Sequence, residues 1–252
     1  MSFFAALLGL VFGSFMNVLI YRIPKGISIV SPPSSCPQCG GRIKWFDNIP
    51  VISWCVLKGR CRCCFGKISF LYPIVELLTG ATFVLIYLKF GASLEALKYG
   101  VFCFLLLTAA FTDIKTALDK DFETGVIPTV YPFIGVIVAL SFALYEGNFL
   151  NSLSGWASGY LVLYLPAMIY TYLTGREGIG EGDFILFAMI GAFLGPMAIP
   201  MVLTVGAFVG VVVGIIIIVA TKNRRYPIPF APMLALGGMF FLLFDNILKI
   251  SF

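Results

Sequence analysis

Unbroken apolar stretches separated by short polar connections recur along the chain at 3–23, 71–90, 94–112, 126–145, 153–174, 184–196, 199–221 and 229–250. A helix needs about 20 mostly apolar residues to cross the hydrocarbon of a bilayer. The pattern therefore predicts an all-α polytopic membrane protein with about eight transmembrane helices. The sixth stretch, between Gly182 and Gly195, is short, and its ends are the least defined. The first stretch carries no basic residue ahead of it, and its first basic residue, Arg22, comes after it. It is expected to be a retained span and not a cleaved signal. The one long polar interruption, 24–70, is expected to form a loop subdomain after the first helix (1–23), leaving 71–252 as a seven-helix core.

Composition agrees with this. The 252 residues are 60% hydrophobic and 12% charged, where soluble chains are about 45–50% apolar and about 25% charged. Disorder is excluded by the same numbers. The net charge of +5 is explained by its distribution and does not point to nucleic acid. Lys25, Arg42, Lys44, Lys58, Arg60, Arg62 and Lys67 lie in the first loop, and Lys115, Lys120, Arg176, Lys222, Arg224 and Arg225 lie in connections on the same side. Only Lys89, Lys98 and Lys249 fall opposite. Cytoplasmic loops carry the excess of Lys and Arg, so the large loop is expected on the cytoplasmic side. The chain has no histidine, which removes imidazole acid–base catalysis, His-activated nucleophiles and His-ligated metals.

Within the loop, Cys36 and Cys39 form one CxxC pair and Cys61 and Cys64 another, twenty-one residues apart. Two such knuckles suit a tetrahedral tetrathiolate site, the usual geometry of structural Zn2+. A loop of this size builds little core, and a metal would supply the missing folding energy. A thiol redox centre and unmetallated thiols are the alternatives, and Cys63, beside a ligand, is a substitute donor. Cys55 and Cys103 read as small apolar side chains.

Two acids stand out. Asp113 follows the apolar run 101–112, and Asp183 closes Gly178-Ile-Gly-Glu-Gly-Asp183 and opens the next apolar run. An ionised Asp at full membrane depth costs about 2.5–3.5 kcal/mol, so such residues usually face a partner or a cavity. The topology puts both on one membrane face, and Gly180 and Gly182 permit close approach of another backbone. Two carboxyl groups brought together share a proton, so one can activate water while the other polarises a carbonyl. Read structurally, Asp113 is an interfacial helix end and Asp183 a helix cap. Asp119, Asp121 and Glu123 read as solvated loop, Glu177 and Glu181 are ambiguous, and Glu76 is an intramembrane acid that needs a partner.

Several segments then resemble the bacterial type IV prepilin peptidases. They are Gly13-Ser-Phe-Met-Asn17-Val-Leu-Ile-Tyr-Arg22-Ile-Pro24, the double CxxC loop with Trp45-Phe-Asp47-Asn48-Ile-Pro50-Val-Ile-Ser-Trp54, and Tyr72-Pro73-Ile-Val-Glu76-Leu-Leu-Thr-Gly80. Asp113-Ile, the Gly180-Glu-Gly-Asp183-Phe segment and Pro229-Phe-Ala-Pro232-Met-Leu-Ala-Leu-Gly237 continue the match in order. The resemblance implies a GxGD-class aspartic endopeptidase of the bacterial inner membrane. It would cut the basic leader from prepilins or pseudopilins on the cytoplasmic side, with N-methylation of the new terminus by S-adenosylmethionine. It implies Asp113 and Asp183 as the catalytic pair, Gly180 and Gly182 in the supporting loop, and Cys36, Cys39, Cys61 and Cys64 as zinc ligands. Asn17, Arg22, Asp47, Asn48 and Glu76 are candidate methyl-transfer residues, or structural ties between loop and membrane. The chain departs from the family pattern at Ile127-Pro128-Thr129, at Ile185 where a lysine is common, and at Glu181, and Asp119 and Asp121 stand as alternatives to Asp113. Rival readings are a transporter with intramembrane Asp ion sites and a membrane thiol oxidoreductase.

Overall fold

The computed structural model describes residues 1–119, 121–122, 125–176, 178–222 and 228–248. Lys120, Glu123, Glu177, Arg224, Arg225 and Lys249, singled out above, lie outside the described residues. The chain divides into two compact units, 1–96 and 97–252. Among the described residues it is helical, with isolated β-bridges at Ser35–Arg42 and Arg60–Lys67.

The first unit is built on α1 (Ser2–Arg22) and α3 (Leu71–Phe90), which pack along each other. Both helices are apolar all round, so apolar periodicity does not decide which face of α1 meets α3. Size decides. Gly9 and Gly13 on α1 lie against the backbone of Gly80 and Glu76, where an added Cβ would stand 2.7 Å from a Cα. This is the small-residue packing of membrane helices, in which close backbones gain dispersion contact. Phe4, Leu8, Val11 and Phe15 are left on the outward face. Between the two helices, 24–70 holds a 3₁₀ turn (Trp45–Asn48), the short helix α2 (Ile52–Val56) and the two cysteine knuckles.

The second unit contains most of α4 (Leu94–Ala117), then α5 (Val130–Glu146), α6 (Phe149–Thr174), α7 (Glu181–Leu194), α8 (Ala198–Thr221) and α9 (Ala231–Leu248). Helix α7 is buried from Phe184 to Leu194 except at Ile185, and packs against α5, α6, α8 and α9. Its backbone meets α6 at Gly191 and Gly155, and Ser152 Oγ donates to the Ala192 carbonyl at 2.7 Å. Helix α4 contributes bulk: Phe102 lies against Phe193 with ring centroids 4.8 Å apart. Near the start of α4, Lys98 Nζ pairs with Glu146 of α5 at 2.7 Å.

Each apolar stretch carries a helix, but the boundaries move. Helix α4 continues through Asp113 to Ala117 on its backbone bonds, and along it Thr108, Thr112 and Thr116 turn their hydroxyls onto carbonyls one turn back, Thr116 Oγ1 reaching the Thr112 carbonyl at 2.9 Å. Helix α5 begins at Val130 and not at 126, since Pro128 cannot donate an N–H within a helix. Among the described residues, four helices are long and apolar enough to cross a membrane, namely Ser2–Arg22, Leu71–Phe90, Leu94–Ala117 and Ala198–Ala220. The chain is thus multi-pass. Val130–Glu146 and Ala231–Phe244 are shorter apolar helices. At 14 residues, α7 is only about 21 Å long against a hydrocarbon core of about 30 Å.

Candidate active site and metal centre

Asp113 sits inside α4, 4% exposed. Its Oδ2 accepts the backbone N–H of Ala231 at 3.0 Å, across 118 residues of sequence. The Phe230 N–H is directed toward the same carboxyl. The connection to α5 lies against the same group: a Cβ on Gly125 would collide with Asp113 Oδ1. Thr116 Oγ1 holds that connection, accepting the Val126 N–H at 2.7 Å. One residue on, Ile127 lies so close to Gly182 that a Cβ there would stand 2.8 Å from Ile127 Cβ.

Asp183 lies in the first turn of α7, half-buried, three residues after the cap Gly180. Its backbone N–H donates to the Gly180 carbonyl at 3.1 Å, and the Gly180 N–H is directed toward its side chain. Its Oδ1 is buried without a hydrogen-bond partner among the described residues. Asp113 and Asp183 lie near enough for their charges to interact. Asp119 Oδ1 accepts the Asp121 N–H at 3.3 Å in a local turn, and Asp121 is exposed. Glu181, the first residue of α7, is exposed.

Thr116, Gly125, Phe230 and Ala231 were not legible as site residues. Thr and Ala in apolar helices carry no chemical signal, and a backbone donor has none in any sequence. Pro232, one residue into α9, is a helix-start signal, but it does not say what the start faces.

In the first unit the four cysteines converge, with the Sγ atoms of Cys36, Cys39, Cys61 and Cys64 all within 4.8 Å of one another and Cys36 to Cys64 at 3.9 Å. Four thiolates at about 2.3 Å from one ion would lie about 3.8 Å apart, so the cluster can hold a structural metal. The knuckles share one backbone pattern. Cys36 N–H donates to the Gly41 carbonyl and Gly40 N–H to the Cys36 carbonyl; Cys61 N–H donates to Gly66 and Phe65 N–H to Cys61. Backbone N–H groups of Cys64 and Cys63 directed at the Cys61 sulfur pull that thiol down to about 7, which favours the thiolate a metal needs. Cys63 is exposed and is not among the four converging sulfurs.

The remaining candidates are tied into the first unit. Asn17 Nδ2 donates to the Tyr72 carbonyl at 3.2 Å, and Arg22 to the Ser28 carbonyl at 2.8 Å. Glu76 Oε2 accepts the Val51 N–H at 2.7 Å, linking α3 to the turn that precedes α2. Asp47 holds Arg62 in a two-pronged ion pair, the shorter contact 2.7 Å. The Arg62 guanidinium holds the Asp47 carboxyl below its ordinary range. Asn48 is exposed at the end of the 3₁₀ turn.

One helical unit thus brings buried Asp113 and half-buried Asp183 within range of each other's charge, and the other unit gathers four cysteines. Comparison with known proteins gives the class. Residues 7–90 match the bacterial peptidase A24 N-terminal domain, and 100–215 match the type IV leader peptidase family. A prepilin leader peptidase/N-methyltransferase of Klebsiella pneumoniae is 40% identical, over 76% of this chain and 84% of that protein. One from Stutzerimonas stutzeri is 33% identical, over 98% of this chain and 92% of that protein. The Myxococcus xanthus protein of that name is 39% identical over 76% of this chain, and the match spans 55% of its length. No solved structure matches. The chain belongs to the type IV leader peptidase family.

Proposed function

We propose that the chain removes leader peptides from prepilins or pseudopilins, with Asp113 and Asp183 as its catalytic pair, in a bacterial inner membrane that it crosses about eight times. What supports this most directly is the approach of these two acids to within charge range, one from the C-terminal end of α4 and one from the first turn of α7, in a chain of this family. The client's apolar segment enters from the bilayer, and its basic leader stays at the cytoplasmic face, the side the Lys and Arg distribution favours. One carboxylate takes a proton from water as the water attacks the scissile carbonyl, and the other carboxyl donates to the carbonyl oxygen. On collapse the C–N bond breaks, the first acid protonates the leaving amine, and the second takes its proton back. Gly180 and Gly182 keep the start of α7 open to close approach. Replacing either aspartate by Asn abolishes cleavage of a leader peptide bearing a Gly–Phe bond, with the fold intact. Retained cleavage in Asp113→Asn would move the assignment to Asp119 or Asp121.

The same reading takes the cluster of Cys36, Cys39, Cys61 and Cys64 as a structural zinc centre. It includes methylation of the new N-terminus, the second activity in the relatives' names. S-adenosylmethionine, when bound, supplies the methyl group. Asn48 is the exposed residue among the methyl-transfer candidates, while Asn17, Arg22, Asp47 and Glu76 also serve as ties within 1–96. A competent assay that transfers no labelled methyl leaves a peptidase alone.

A further inference from the structure

The two aspartates differ in what surrounds them, and the difference comes from α9. The first backbone N–H groups of a helix have no carbonyl within it and carry a partial positive charge. At the head of α9, the Met233 and Leu234 N–H groups both turn back to the Phe230 carbonyl, at 3.0 and 3.3 Å. Pro232 has no N–H. Ala231 is therefore the remaining donor of that turn, and its acceptor is Asp113 Oδ2, in a buried bond of 3.0 Å. The Phe230 N–H is directed toward the same carboxyl. Two converging backbone donors at a helix start form an anion seat. Asp183 has one backbone N–H directed toward it, from Gly180, and its buried Oδ1 meets no partner among the described residues. An oxygen in that position is suited to carry a proton and give it to an incoming carbonyl.

We propose that the Phe230–Ala231 backbone at the head of α9 is the positioning element of the acid pair, seating Asp113 as the carboxylate and leaving the shared proton on Asp183 Oδ1. This rests on the peptidase reading above and assigns its two roles. Asp113 takes the proton of the attacking water, and Asp183 Oδ1–H protonates the scissile carbonyl oxygen. When the C–N bond breaks, Asp113 passes its proton to the amine, and Asp183 recovers one from the collapsing diol. The pair returns to its starting state.

Two measurements on the full chain in lipid nanodiscs test this. Ala231→Pro deletes the donor at a helix position that accepts proline; kcat for leader cleavage falls about a hundredfold, with KM within about twofold, as expected for loss of one charge-assisted bond. Ala231→Gly keeps the N–H, and its fall in kcat is at least about tenfold smaller. Independently of activity, Asp113→Asn keeps an acceptor for Ala231 but loses the charge. It melts about 2–4 °C lower, a shift that Asp183→Asn, which replaces a neutral group by a neutral group, does not show. Wild-type kcat in Ala231→Pro, or a larger melting loss in Asp183→Asn than in Asp113→Asn, overturns the proposal. If Ala231→Pro does not fold, the order of the two Asn melting shifts decides alone. Cleavage by both Asn variants would instead sink the peptidase reading itself.

Discussion

Phe65 has φ 56°, the left-handed backbone that Gly40, with φ 69°, supplies at the equivalent point of the other cysteine knuckle. A side chain in that region costs about 1–2 kcal/mol, and the Phe65 ring, 70% exposed, recovers little of it by packing. Phe65→Gly is expected to raise the melting temperature and slow metal loss to a chelator. At Gly182 the sign is opposite. A Cβ would press on Ile127, so Gly182→Ala costs about 1–3 kcal/mol of packing and lowers leader cleavage at least about tenfold, read as initial rate. The Asp47–Arg62 pair gives a pH test. Asp47 is held below its ordinary value when folded, so its stabilisation is full above the ordinary carboxylate range and disappears as pH falls through the lowered value. Asp47→Asn should therefore flatten the acid side of the melting-temperature profile, by a small amount for an exposed pair. Asp113 and Asp183 were readable as residues because an acid bounding an apolar run is chemically out of place. Thr116 and Ala231 were not, because their roles belong to a hydroxyl and a backbone N–H that look ordinary in any apolar helix.

Among the elements, the apolar stretches were readable because burial in lipid needs continuous apolar length, a property of the chain alone. Their ends were not. Helix α4 runs five residues past its apolar stretch because backbone bonds, and not hydropathy, carry a helix onward. The pairing of α1 with α3 is another property that hydropathy does not encode, since both helices are apolar on every face. It follows from where side chains are missing. Replacing Gly9 and Gly13 together by Leu is expected to separate these helices, because each new Cβ would fall on backbone and not on a side chain able to move. Accessible protease sites within 24–70 and a lower melting temperature would register it.

In the molecule as a whole, the acid pair belongs to 97–252 and the cysteine cluster to 1–96. With the cluster as the proposed metal centre, replacing Cys36 and Cys39 by Ser is expected to bring metal content well below one ion per chain and to expose 24–70 to protease, since a bound metal would supply folding energy to a segment with little core. The proposed topology predicts that a membrane-impermeant thiol reagent labels Cys63 in inverted but not in right-side-out vesicles, because Cys63 is exposed and outside the four converging sulfurs.

The chain by itself determined the partition between lipid and water and the chemistry of the knuckles, because apolar length and CxxC spacing act over neighbouring residues. Only the tertiary structure brings Asp113 within charge range of Asp183 and gives it a hydrogen bond from a helix start 118 residues further on. Those contacts depend on where helices with interchangeable apolar surfaces come to rest. That is set by the shapes of glycines, threonines and large side chains packed together.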